Sequence, residues 1–198
     1  MAFITYKLKK MNIFKNCFLP VFMISALLIS CEENKKSAAE TIVVDNKVSA
    51  IPSNFGKVKF NNNFTGFKFA DTTGSRYIFT KNGVEDARKK ASVSGFSITP
   101  LENFGYKEAV EHLVELSTDY RNKENVMYVS EILRASEYVN KNAAQFHRFS
   151  VEENNNIRAD VIQGIITKGK NSILFVGYGL EGDALKEKLL ATFKSINF

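Results

Sequence analysis

The chain has 198 residues, 44% of them hydrophobic, which calls for one ordinary globular domain rather than a disordered or multidomain chain. Its formal net charge of +6 would suit nucleic acid, but Lys7, Lys9, Lys10 and Lys15 all lie in residues 1–30, which carry no acid. Residues 31–198 hold 23 basic and 21 acidic side chains, and a domain so near neutrality has no strong pull toward phosphate backbones, which argues against nucleic-acid binding.

The basic start runs into an apolar stretch, residues 17–30 (CFLPVFMISALLIS). That run is about fourteen residues, short of the roughly twenty that span a bilayer, and it reads as a secretory signal. Met11 offers an alternative start that gives a more typical signal length. Leu28-Ile29-Ser30-Cys31 resembles the lipobox of bacterial lipoproteins. A small residue before the cut admits the peptidase, and the Cys31 thiol takes the lipid. Cys31 is therefore expected to become the acylated N-terminus, with buried acyl chains holding the protein at a membrane. An ordinary signal peptide with a cysteine nearby is the alternative. Cys17 is lost with the signal, so the folded part has neither thiol nor disulfide and must be held by its own core. Glu32 and Glu33 resemble the acidic surface-export signal of some Gram-negative lipoproteins, and plain tether chemistry explains them equally well. The outer membrane of a Gram-negative cell, on its periplasmic or its outer face, is the expected location.

Residues 31–53 are small, polar and charged, and read as a flexible tether, leaving one domain over 54–198. From Gly56 the pattern turns extended, with short aromatic and β-branched runs at 56–61, 66–70 and 77–80. Val84–Ala91 suits one or two turns of helix, and Val93–Ile98 another strand. Phe104–Arg121 is the clearest helix: Ala109, Leu113, Leu116 and Tyr120 recur at helical spacing, with Val110 and Val114 beside them. Strands follow at 127–134, 143–151, 157–167 and 172–178. The run Ile173-Leu174-Phe175-Val176 predicts burial on both faces. Gly177, Gly179 and Gly182 are expected to end that strand, with Asp183 as N-cap of a last helix over 184–195. The order predicts an α+β fold, an antiparallel sheet with helices packed on it.

From about residue 92 onward the pattern resembles a known family. A helix reading YKEAVEHLVEL is followed by NKNAAQFHRFSVE, then by the strands IRADVIQGIITK and NSILFVGYG, and by a closing helix ending in ATFKSINF. This resembles the PsbP-like α/β/α sandwiches, which include the DcrB-like bacterial lipoproteins. The resemblance implies a binding or accessory habit and supplies no catalytic motif.

Candidate chemistry is sparse. Of the two histidines, His112 lies one helical turn after Glu108, a pairing that suits a solvated helix face better than a metal site. His147 lies in a strand and is expected to be half-exposed. Glu131, Glu137, Glu152, Glu153 and Asp160 could place two carboxylates across a cleft, as glycoside hydrolysis needs, or simply dress a sheet surface. There is no nucleophile elbow, no phosphate loop and no metal-ligand spacing, so no cofactor or metal is expected. The aromatics are abundant, 17 Phe and 7 Tyr. Phe60, Phe67, Phe69, Tyr77 and Phe79 crowd the first half, where they form either an exposed binding row or a core in which Phe stands for Leu. The expected function is a monomeric, non-catalytic, lipid-anchored envelope protein that docks a protein partner or ligand. An immunity or chaperone-like protein binding a secreted toxin or effector, and an envelope hydrolase, are the alternatives.

Overall fold

The structure, a computed structural model, describes residues 49–88, 93–121, 126–128, 133–153, 157–180 and 183–198. The expected signal, Cys31, Glu32, Glu33, residues 34–48 of the expected tether, Glu131, residues 154–156 and Gly182 lie outside the described residues. Two strands open the fold, β1 (Ser49–Ser53) and β2 (Gly56–Phe60). The last five residues read as tether are thus strand β1, because Ile51 is buried in the core and paired opposite Val58.

The main sheet is built from β3 (Lys68–Thr73), β4 (Arg76–Thr80), β5 (Gly95–Leu101), β6 (Val126–Tyr128), β7 (Leu133–Val139), β8 (Asn142–Glu153), β9 (Ile157–Lys168) and β10 (Asn171–Leu180). Their order is β3-β4-β5-β10-β9-β8-β6, with β7 also on β8. Each of these pairings is antiparallel. Among the described residues three α-helices accompany the sheet: α1 (Val84–Ala87), α2 (Tyr106–Arg121) and α3 (Lys186–Lys194). The expected α+β class, an antiparallel sheet carrying packed helices, is the one observed. Among the described residues no helix is long and apolar enough to cross a membrane.

Strand β10 shows why the sheet is covered twice. Ile173 and Phe175 point into one core, with Ile51, Val58 and Phe60 of the hairpin and Leu189 and Phe193 of α3. Leu174 and Val176 point the other way, onto Ala109 and Leu113 of α2. A strand between β5 and β9 with apolar matter on both sides needs an unbroken apolar run, and it has one. The C-terminal residues close the first layer. Lys59 and Asn197 exchange two backbone hydrogen bonds of 2.8 Å, so the chain end extends the β1–β2 hairpin.

Two local expectations fail for tertiary reasons. Gly177 and Gly179 do not end β10; they lie inside it, beneath α3. A Cβ at Gly177 would come within 3.2 Å of Leu189, and one at Gly164 within 2.6 Å of Phe193, so glycine here lets the helix sit close to the sheet. Asp183 does not cap α3, whose N-cap is Leu185 with no side-chain bond. The Asp183 carboxylate instead accepts a hydrogen bond from Ser94 Oγ, and that hydroxyl accepts from Leu180 N–H at 3.0 Å. The aspartate is spent on joining the start of β5 to the end of β10.

Candidate functional site

The densest polar chemistry lies where α2 crosses β8 and β9. His147 and Gln163 are direct neighbours in the β8–β9 register, both on the α2 side. Ser117 falls on the buried stripe of α2, one turn after Leu113 and two after Ala109. Its Oγ lies 2.7 Å from His147 Nδ1 and 2.7 Å from Gln163 Oε1. It is also 3.0 Å from the Leu113 carbonyl. Gln145 Nε2 stands 3.3 Å from His147 Nε2.

The Ser117 hydroxyl has one proton and cannot serve the Gln163 and Leu113 oxygens equally, so the shorter contact takes it. Ser117 donates to Gln163 Oε1 and accepts from His147 Nδ1–H, while His147 Nε2 accepts from Gln145. Such a histidine must be neutral. Burial pushes its pKa down to about 4, and the Arg134 guanidinium adds to that shift. Arg134 lies directly opposite His147 in the β7–β8 register.

A serine touching a histidine invites comparison with an activated nucleophile. The burial decides against it. Ser117 is 3% exposed, His147 0% and Gln163 2%. A reacting carbonyl needs a place about 3 Å from the hydroxyl, and the hydroxyl is already enclosed by its partners. The trio acts as a polar clasp holding α2 on the sheet. At the other end of the helix Ser172 Oγ donates to the Phe104 carbonyl at 2.7 Å and touches Thr167 Oγ1 at 2.6 Å. The expectation of a half-exposed His147 is thus corrected: α2 covers the strand face on which it lies.

The other sequence candidates separate. His112 is a partly buried helix residue, edge-on to Phe104 at 6.0 Å between ring centroids. Its Nδ1 is 3.9 Å from Glu115. Burial lowers its pKa, against the pull of Glu115 and Asp119. Each of the three carboxylates whose side chains are described is paired with a cation. Glu137 pairs with Lys194 at 2.9 Å, Glu152 with Arg158 at 2.9 Å and Asp160 with Lys186 at 3.4 Å. Glu131 and the side chain of Glu153 lie outside what is described. Lys186 and Lys194 belong to α3, as does Glu187, which binds Arg148 at 3.1 Å. These pairs tie that helix across the sheet. Among the described residues, no group of three or more His, Cys, Asp or Glu could hold a metal ion.

The aromatic candidates form a core and not an exposed row. Phe60, Phe67 and Phe79 are buried, and Phe69 and Tyr77 pack against them half-buried. Phe79 stacks on Phe96 at 4.9 Å and Phe96 on Phe175 at 5.4 Å, with Phe60 edge-on to Phe79 at 5.2 Å. The β1–β2 hairpin covers the face that these strands present, which alternation along single strands does not reveal.

Sequence reasoning missed the most exposed apolar groups. Tyr138 is 81% exposed and Leu133 is 55% exposed, and both lie on β7. The available signal was the turn at Asn140–Lys141. Both residues take left-handed φ values, 48° and 68°, as a tight two-residue hairpin requires. A strand must precede such a turn.

No protein-family model and no curated protein matches the chain. Solved structures do. The solution structure of cyanobacterial PsbP (CyanoP) from Synechocystis sp. PCC 6803 is similar over 86% of this chain and 98% of its own, at 12% identity and a TM-score of 0.55. The Ran-binding protein Mog1p of Saccharomyces cerevisiae covers 78% of this chain and 96% of its own, at 10% identity and a TM-score of 0.49. A Bacteroides thetaiotaomicron protein covers 71% of this chain and 44% of its own, at 9% identity and a TM-score of 0.46. At such identities the likeness to CyanoP is one of fold. It extends the resemblance, read in the sequence from about residue 92, to the first half of the chain.

Proposed function

We propose that this chain, built on the PsbP-like fold, is a lipid-anchored envelope protein that works by docking and not by catalysis. The observation that carries the reading is the closure of the Ser117–His147–Gln163 clasp. Among the described residues, the constellation with the residue types of a hydrolase is sealed beneath α2, with His147 fully buried. Of the carboxylates weighed for catalysis, Glu137 and Asp160 are occupied in ion pairs with α3, and Glu152 is paired with Arg158. The anchor rests on the sequence: a basic start, a short apolar run, and the lipobox-like Leu28-Ile29-Ser30-Cys31. Lipid fixes the location, residues between Cys31 and β1 give reach, and the folded domain recognises its partner.

Two measurements test this. Metabolic labelling with palmitate should mark the native chain and fail to mark Cys31→Ala, which should also leave the membrane fraction. Crosslinking in living cells should then capture one dominant envelope partner with the native chain and lose it with Cys31→Ala. A Cys31→Ala chain that stays labelled and membrane-bound would end the anchor. A native chain with no enriched partner would count against docking.

A further inference from the structure

We infer that β7 is a self-pairing edge, through which two copies of this chain join their sheets antiparallel about Ser136. This inference is independent of the lipid anchor and replaces the monomer expected from the sequence.

The sheet ends at three strands that natural proteins must protect from pairing with other chains. Strand β3 is broken by a bulge between Phe69 and Asp71, and Lys68 and Asp71 are exposed on it. Strand β6 has three residues. Strand β7 has seven residues, LRASEYV, with neither proline nor lysine. Its register on β8 runs unbroken from Leu133 to Val139. Its one acidic side chain, Glu137, is drawn to Lys194 of α3. Among the described residues no strand pairs with the far side of β7. The two most exposed large apolar side chains described, Tyr138 and Leu133, both stand on this edge.

The strand is complementary to itself. Ser136 is its midpoint, so antiparallel pairing about Ser136 engages all seven residues. Arg134, Ser136 and Tyr138 share one face. In that register Arg134 of one copy comes opposite Tyr138 of the other, twice per dimer, a cation against an aromatic face. Leu133 comes opposite Val139, and Ala135 opposite Glu137. No charge meets its like. Centring on Arg134 or on Glu137 would oppose two identical charges and shorten the overlap. The pairing is isologous and closed, giving a dimer and not a filament.

The test is site-directed crosslinking of the purified full chain in detergent, carrying Cys17→Ala and Cys31→Ala so that the added thiol is the only one. With a short bis-maleimide, Ser136→Cys should give a chain of doubled mass, because residues paired on the axis lie about 5 Å apart. Arg134→Cys should not, because the two copies of that residue lie about 14 Å apart along the strands. Both sites are exposed, and the contrast between them discounts association through the apolar N-terminal stretch. Adding Tyr138→Lys to Ser136→Cys should slow the crosslink about tenfold, because the new ammonium of one copy would stand opposite the Arg134 guanidinium of the other. Doubling at position 136 alone, slowed by Tyr138→Lys, is the expected result. Any other pattern, including none at either site, both alike, or no effect of the lysine, overturns the pairing.

Discussion

Acidification should destabilise this protein through His147. Its ring is enclosed by Ser117, Gln145 and Gln163, and the Arg134 guanidinium on the neighbouring strand also disfavours its protonation. The folded ring stays neutral down to about pH 4, whereas in the unfolded chain it takes a proton near the usual 6.5. Between those values the unfolded state binds more protons, so stability falls as pH falls. The contribution is intact above pH 6.5, is lost through the window down to about 4, and levels off below it. The loss between pH 7 and pH 5 is about 2 kcal/mol, growing to about 3 kcal/mol by pH 4. Urea unfolding followed by circular dichroism at pH 7 and pH 5 measures it. Other groups titrate too, His112 among them, so the comparison is with His147→Gln, which keeps a neutral polar group against Ser117. That variant should be weaker at pH 7 and should lose about 2 kcal/mol less than the parent on going to pH 5. An identical pH 7-to-5 loss in the two proteins would refute a sealed, neutral His147.

Three further outcomes follow from the packing. Gly164→Ala should lower the urea midpoint by the equivalent of about 1–3 kcal/mol, since its methyl would meet the Phe193 ring at 2.6 Å; an unchanged midpoint would mean that α3 does not press on β9. Ser117→Ala should cost about 1–3 kcal/mol by leaving His147 Nδ1 and Gln163 Oε1 without their shared hydroxyl, and a loss within 0.5 kcal/mol, about the size of ordinary surface substitutions, would show that the clasp contributes nothing. Phe96→Ala, in contact with Phe79, Phe60, Phe67 and Phe175, should cost about 3–5 kcal/mol in thermal unfolding, and a loss under about 1 kcal/mol would place those rings outside the core.

The elements that depend on local pattern were legible in the chain. Ala109 and Leu113 repeat at helical spacing because one helix face is buried, and the Ile173–Val176 run is unbroken because both faces of β10 are. What tertiary structure decided is which faces meet. Alternation along β4 separates Phe79 from Ile78, but only the β1–β2 hairpin laid across that face turns the aromatic row into a core. His147, Gln163 and Ser117 are separated by 16 to 46 positions and come together because β8 and β9 pair in one register and α2 lands on it. Asp183 is a good cap by local rules and is taken instead by Ser94, 89 positions away. Residue types at short spacing fix helices and strands, because those bonds are local. A closed clasp, and an edge at β7 that no described strand pairs, are properties of surfaces that long-range packing alone brings together or leaves bare.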